Sequence, residues 1–554
     1  MTRMPSLRIT LAAAGVLAIL AGGAMLRLAD LPNRTMHCDE AVHGIKFGQL
    51  LEDATYIYDP HEYHGPALNY LTLPIARATG AAEVTEVTET QLRLVPALFG
   101  LLLVGLPWLL RREMGPEALL SAAALTALSP AMVFFSRYYI QEMLLVAFTL
   151  LAIVAMWRWA GMFAAADGAA GDLEPAEAGR ARFLRAVAWL VVLGAAIGLM
   201  HATKETCVLA LAAMVPAAAV TLPGLWTNGK RLALSVLLVV LLAAGVSVLL
   251  FSSFGGNPGG IVDSYATYVH YLGQASGEGS AGRHVQPWHY YFHNLFWWPA
   301  GEGGFWSEGL IAALALGGLA ASVTDKSLDD RSRRFARFLA IYTLLLALIY
   351  SAIPYKTPWC SLSFLSGMIL LAGIGAGSIF RLLPGLGLKS AAGVVLAVLA
   401  AHLGWQAYQA SFVHFEHPRN PYVYAHTTGD VPALVAKIRQ IAAHHADATA
   451  MHVQAIGPDH DYWPLPWYLR DFSRVAWLDT IPEGPPAPVV ITQPELEELL
   501  LRYLYVTQPP GHRNLYVPLV PPNGGEEWML RPNVPLRAYV QLRLWETHQG
   551  ARER

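Results

Sequence analysis

Long apolar runs broken by short polar turns fill the first 408 residues of the chain. A helix needs about 17–25 apolar residues to cross a bilayer. Runs of that kind fall near 8–28, 92–110, 117–136, 142–160, 184–201, 205–222, 232–254, 308–324, 337–353, 360–380 and 387–408, which predicts about eleven transmembrane helices. Between them, residues 39–54 place Val42, Ile45, Leu50 and Leu51 on one side of a short amphipathic helix. Residues 66–79 are apolar but too short and broken to span, and fit a helix lying in the interface. Residues 83–90 read as an exposed loop, and 255–307 form a long connection with a lid-like character. From 409 the pattern changes to Pro-rich, charged and mixed: helix-like at 431–445 and 494–504, strand-like at 449–456, 474–479 and 487–493. The fold class expected is therefore a polytopic α-helical membrane domain over 1–408, followed by an α/β domain over 409–554.

Composition agrees. Only 14% of residues are charged and 55% are hydrophobic, whereas soluble chains carry about a quarter charged. The net charge of −2 says nothing about partners, and no basic domain points to nucleic acid. No Walker A pattern supports a nucleotide. Cys38, Cys207 and Cys360 lack the spacing of a zinc knuckle or a disulfide set. With Arg3 and Arg8 in the cytoplasm, the positive-inside rule puts Arg111–Arg112, Arg180–Arg185, Lys230–Arg231, Lys326–Arg334, Arg381 and Lys389 inside as well. The outer, periplasmic or extracytoplasmic, face of the plasma membrane then receives 29–91, the turns near 137–141, 201–204 and 354–359, the loop 255–307 and the C-terminal domain.

This orientation isolates a small set of chemistry on the outer face. Asp39 and Glu40 follow the first span; adjacent carboxylates there are costly, and suit acid–base or metal work, or else a solvated acidic loop. Arg137, Lys204 (beside His201) and Lys356 are exceptional cations in short outer turns, and three of them suggest an anion site of phosphate or diphosphate type. Asp59, His61, Glu62 and His64 form a polar wall or a metal set, although their spacing is not HExxH. Trp288, His289 and His293, with Arg283 and Asn294, combine aromatic faces with polar edges. They serve either as an interface belt or as a surface for a sugar ring or prenyl chain.

The assembled pattern resembles the GT-C superfamily of polytopic glycosyltransferases, in particular the protein mannosyltransferase and aminoarabinose transferase group, glycosyltransferase family 39. The resemblance rests on the acidic pair, the interfacial helices, Gln91–Gly100 opening the second span and the Ser129-Pro130…Ser136-Arg137…Glu142 segment. Residues 354–359, 417–430 and 461–471 resemble more specifically a subfamily labelled flippase-activity-associated in archaeal-type N-glycosylation. The resemblance implies a sugar donor on polyprenyl phosphate and a protein, lipid or glycan acceptor. It implies Asp39 as the base that deprotonates the acceptor hydroxyl with inversion at the anomeric carbon. Glu40 would orient the acceptor or help hold a divalent metal, with Asp39, Glu40 and Glu142 as the candidate ligands; family members often have Asp at the Glu142 position. Arg137 would contact donor phosphate and Lys356 would stabilise the leaving phosphate, with Lys204 and His201 as further phosphate ligands. His61, His64, Tyr138, Tyr355, Trp288, His289 and His293 are the candidate substrate-binding residues. The rival readings are a polyprenyl-linked glycan flippase or a non-catalytic partner in glycan assembly; no internal repeat of the transporter kind is evident.

Overall fold

A computed structural model describes residues 4–61, 64–168, 176–275, 284–299, 305–511, 513–522 and 524–552. The chain forms two compact units, one of residues 1–31, 53–75 and 90–422, the other of 32–52, 76–89 and 423–554. The second unit is thus discontinuous in sequence, and the division near 422 differs from the composition change at 409.

The first unit is helical. In chain order the helices up to residue 422 are α1 (Met4–Leu28), α2 (Cys38–Asp53), α3 (Ala67–Ala78), α4 (Glu89–Gly105), α5 (Pro116–Leu128), α6 (Pro130–Ser136), α7 (Glu142–Gly168), α8 (Ala176–His201), α9 (Cys207–Thr221), α10 (Gly229–Phe251), α11 (Gly259–Ala275), α12 (Tyr290–Phe296), α13 (Gly309–Thr324), α14 (Asp330–Ala352), α15 (Leu362–Leu382) and α16 (Gly385–Tyr408); of these α2, but for Asp53, belongs to the second unit. Among the described residues, seven helices are long and apolar enough to cross a membrane, α5 and α6 form a further pair bent by 55°, and 13–28, α9 and α13 are shorter apolar helices. The eleven apolar runs each coincide with one of these, and the chain is an integral membrane protein. The loop 255–307 contains a helix, α11, that the sequence reading leaves unassigned; its Gly-Gly start and β-branched and aromatic residues mask the helical period.

Small residues let these helices meet closely, as expected where lipid supplies no hydrophobic drive. A Cβ on Gly318 would lie 2.0 Å from the Leu371 carbonyl oxygen, and one on Gly375 would lie 2.1 Å from that of Leu314, so α13 and α15 pack backbone to backbone. The α5–α6 bend is set at Ser129-Pro130, where proline cannot continue the ladder. The freed groups are satisfied by Glu308: its carboxylate accepts from Ser129 Oγ at 2.6 Å, the Ala131 N–H at 2.8 Å and the Tyr422 hydroxyl at 3.0 Å.

The second unit is α/β. It adds α17 (Asp430–Ala442), β1 (Val453–Ile456), β2 (Val475–Leu478), β3 (Val489–Thr492), α18 (Glu497–Tyr505), β4 (Tyr516–Leu519), β5 (Trp528–Arg531), β6 (Val534–Gln541) and α19 (Leu542–Arg552). The sheet order is β2-β1-β3-β6-β4, with β5 also on β6; β1 is parallel to β2 and β3, and β6 is antiparallel to its neighbours. β1 and β3 are buried along their whole length, as parallel strands covered on both faces must be. Leu434, Val435 and Ile438 of α17 pack on Val453 and Ala455, while Leu500, Tyr503 and Leu504 of α18 pack on Ile456 and Val490. The helices at 430 and 497 and the first three strands match the sequence expectation. β4–β6 carry no clear strand signal in the sequence, because Pro518 interrupts one strand and burial in the others follows no clean alternation.

Candidate functional site

Asp39 and Glu40 lie in the first turn of α2, where the helix dipole favours carboxylates. The two side chains have separate fates. Glu40 is fully buried, with Oε1 accepting from the Arg34 guanidinium at 3.2 Å and Oε2 from the His37 N–H at 3.1 Å. The Asp39 side chain is 42% exposed, and the Cys38 thiol donates to its Oδ1 at 3.4 Å. Both Glu40 oxygens therefore hold the loop, while the Asp39 carboxylate reaches solvent.

The loop before α2 is strapped by the C-terminal chain of the same unit. Thr35 Oγ1 donates to the Thr427 carbonyl at 2.7 Å, the Met36 N–H donates to the Tyr468 hydroxyl at 2.8 Å, and His37 Nε2 lies 2.8 Å from the Tyr424 carbonyl. Burial and the charge of Asp39 push the Tyr424 hydroxyl up to about 12. Residues 76–89 complete the cradle. A Cβ on Gly48 would meet Val84 at 2.5 Å, so α2 can pass this close only with glycine. Glu52 accepts from the Val84 N–H at 2.7 Å, Trp467 Nε1 donates to Glu89 at 2.8 Å, and Arg470 donates to the carbonyls of Val84 and Val87. The aromatic 461–471 segment is thus a clamp on the polypeptide that carries Asp39.

In the first unit the expected phosphate ligands are engaged with protein. Arg137 is buried, and its guanidinium donates to the carbonyls of Leu26, Arg27, Ala29 and Asp30 at 2.6–3.4 Å. It caps the C-terminal end of α1, where a cation is favoured. Lys204 is buried in an ion pair with Glu142. Burial alone would lower the Lys204 pKa, but the Glu142 carboxylate reverses this and holds it above the usual lysine range. The second Glu142 oxygen has no hydrogen-bond partner among the described residues. His201 Nδ1 lies 2.7 Å from Ser247 Oγ, its ring set among Phe251, Tyr265 and Tyr268.

Next to Lys204 is a buried carboxylate that the sequence reading did not select. Glu205 receives His64 Nδ1 at 2.8 Å and the Tyr58 hydroxyl at 3.2 Å, and Tyr271 is 3.0 Å from the same His64 nitrogen. Burial pushes the Glu205 carboxyl up, but His64 and a backbone hydrogen bond outweigh it and leave the pKa below the ordinary carboxylate value. Gly65 makes this approach possible, since a Cβ there would lie 2.3 Å from the Ala202 carbonyl oxygen. His61 is exposed and stacks edge-on to His270; Glu62 lies outside the described residues. Among the described residues, Asp59, His61 and His64 do not bring three ligand atoms together.

Lys356 is buried, with Nζ donating to the carbonyls of Gln286 and Ile353. Desolvation holds its ammonium below the usual lysine range. The end of the 255–307 loop pairs with this turn: the Lys356 N–H donates to the His284 carbonyl, the Gln286 N–H donates to the Pro354 carbonyl, and the Tyr355 ring lies 4.8 Å from His284. Trp288, His289 and His293 are exposed, Tyr138 is buried against Phe134 and Phe135, and Arg283 lies outside the described residues.

The class these features define is a polytopic helical membrane protein with a C-terminal α/β domain. Residues 69–254 match the family model described as dolichyl-phosphate-mannose-protein mannosyltransferase. The fold is similar to that of ArnT from Cupriavidus metallidurans bound to undecaprenyl phosphate, with TM-score 0.58 and 16% identity over 96% of this chain and 97% of that one. It is also similar to the archaeal oligosaccharyltransferase AglB from Archaeoglobus fulgidus in complex with an inhibitory peptide and a dolichol-phosphate, with TM-score 0.56 and 12% identity over 98% of this chain and 77% of that one. No curated protein matches the chain significantly by sequence.

Proposed function

We propose that this chain is a membrane glycosyltransferase that moves a sugar from a polyprenyl-phosphate donor to an acceptor hydroxyl on the extracytoplasmic face of the plasma membrane. Asp39 is the general base: it takes the hydroxyl proton as that oxygen attacks the anomeric carbon, which inverts the configuration. One observation carries this reading. Of two adjacent carboxylates, Glu40 is locked in the loop, while Asp39 is held in place with its carboxylate half open to solvent. Glu40, with Arg34, is then a positioning residue. Lys356 stabilises the departing phosphate, because charge-assisted bonds to phosphate oxygens outcompete the neutral carbonyls that now accept from its Nζ. Arg137 adds positive potential to the phosphate site while tying down α1, and Lys204 and His201 form its wall. The similarity to structures holding undecaprenyl phosphate and dolichol-phosphate supports a polyprenyl donor.

The test is transfer by the purified chain from a panel of polyprenyl-phosphate sugars. Asp39→Asn should lower the rate about 10²–10⁴-fold, the usual share of a general base, without changing the fold. Full transfer by that variant would overturn the assignment.

A further inference from the structure

Cys38 has no partner cysteine nearby in the sequence, yet in the structure its sulfur faces two other ligand types. His37 Nδ1, Cys38 Sγ and Asp39 Oδ1 form a triangle with edges of 3.6 Å (N–S), 3.4 Å (S–O) and 3.9 Å (N–O). A tetrahedral zinc ion, with bonds of about 2.3 Å to sulfur and about 2.0–2.1 Å to nitrogen and oxygen, sets ligand-to-ligand edges of roughly 3.3–3.6 Å. Two edges already fit, and a small rotation of the half-exposed Asp39 side chain closes the third.

The surroundings prepare the same three atoms. The Tyr424 carbonyl can only accept, so His37 carries its proton on Nε2 and turns the Nδ1 lone pair toward Cys38 and Asp39. This is the outer-sphere contact that commonly fixes a metal-binding histidine. Nδ1 now accepts from the Asp39 N–H at 3.1 Å; a bound ion takes that lone pair, and the N–H, one of the orphan donors of a helix start, turns to water. The thiolate and the carboxylate offset the charge of a divalent ion at a helix N-terminus, which would otherwise repel it.

We propose that His37 Nδ1, Cys38 Sγ and Asp39 Oδ1 form a three-ligand site for a thiophilic divalent cation of the zinc class, with the fourth position open to solvent. On binding, the Cys38 S–H bond breaks, the sulfur–metal bond forms, and the proton leaves to water. The site differs from a hard carboxylate set of Asp39, Glu40 and Glu142, since both Glu40 oxygens already serve Arg34 and His37. It also places a metal ligand on the residue proposed as the base, so that an ion bound there would compete with proton transfer.

The purified full chain, stripped of metal, is titrated with Co²⁺. A thiolate-to-cobalt charge-transfer absorption should appear and be bleached by Zn²⁺. Cys38→Ser should abolish it, Cys207→Ser and Cys360→Ser should leave it intact, and His37→Gln should weaken cobalt binding more than about tenfold. In the unmodified chain, Zn²⁺ should slow alkylation of Cys38, read by peptide mass spectrometry, which needs no variant. Absence of the charge-transfer absorption, its persistence in Cys38→Ser, or alkylation of Cys38 unaffected by Zn²⁺ would overturn the site. Neither measurement involves sugar transfer, so failure here leaves the transferase reading standing, and loss of transfer in Asp39→Asn leaves this site standing.

Discussion

Two groups of charged side chains, one in each unit, differ in how far burial withdraws them from water. In the helical unit, Lys204 is paired with Glu142 and Glu205 with His64, and all but His64 are buried. In the α/β unit, Glu40 is paired with Arg34 in the same way, but its neighbour Asp39 is not withdrawn from water. A charge removed from solvent has to be matched within the protein, because an unmatched one costs several kcal/mol. A residue that exchanges protons with a substrate must instead stay reachable. Sequence adjacency gives Asp39 and Glu40 the same prior; the difference comes from the Arg34 and His37 contacts to Glu40 and the Tyr424 and Tyr468 contacts to the loop.

The largest effect that can break this comparison is the loss of transfer in Asp39→Asn described above, set against Glu40→Gln. The latter should act through the loop, lowering thermal stability together with activity. The next tests the structural side. Lys204→Met leaves Glu142 buried and unpaired and should cost about 3–5 kcal/mol, measured as denaturation of the detergent-solubilised chain. Lys204→Met with Glu142→Leu should recover most of that loss; a double variant no better than the single would show that the pair does more than neutralise itself. A smaller effect is expected for Tyr468→Phe. It removes one hydrogen bond to the Met36 N–H, at about 0.5–1.5 kcal/mol, and should lower the transfer rate at saturating substrate without changing KM, since the loop rather than a substrate contact is loosened.

The smallest effect is a pH dependence. The Glu205 pKa is depressed below its ordinary 4.5. Its contribution to stability is therefore fully present above pH 4.5 and is lost as pH falls through the depressed folded value. Glu205→Gln should flatten the acid limb of a melting-temperature profile, and an unchanged acid limb would show that the carboxylate titrates alike folded and unfolded.

Much of the fold was legible because it is written locally. Apolar runs of bilayer length mark every helix identified as a span or a short apolar helix, and β-branched runs at 453–456 and 489–492 mark the buried strands. The acidic pair was legible as an exception to the membrane pattern. What stayed hidden depends on partners far along the chain. From its turn Arg137 reads only as a cation of the outer face; its four acceptors are the carbonyls that end α1, more than a hundred residues earlier. Glu205 looked like one more residue of a polar turn until His64 and Tyr58 were brought to it across more than 140 positions. Cys38 looked idle because its fellow ligands are not cysteines.

The sequence by itself determined that the chain crosses a membrane many times, that an α/β domain follows, and that Asp39 and Glu40 break the pattern. Hydrophobic length and periodicity are properties of contiguous residues, so no partner is needed to read them. Tertiary structure alone decided which carboxylate is exposed and that residues 32–52 and 76–89 fold with 423–554. It also placed His37, Cys38 and Asp39 as three facing ligand atoms. Those outcomes rest on hydrogen bonds such as His37 to Tyr424, 387 positions apart, and pairing over that distance is fixed by packing geometry rather than by any local pattern.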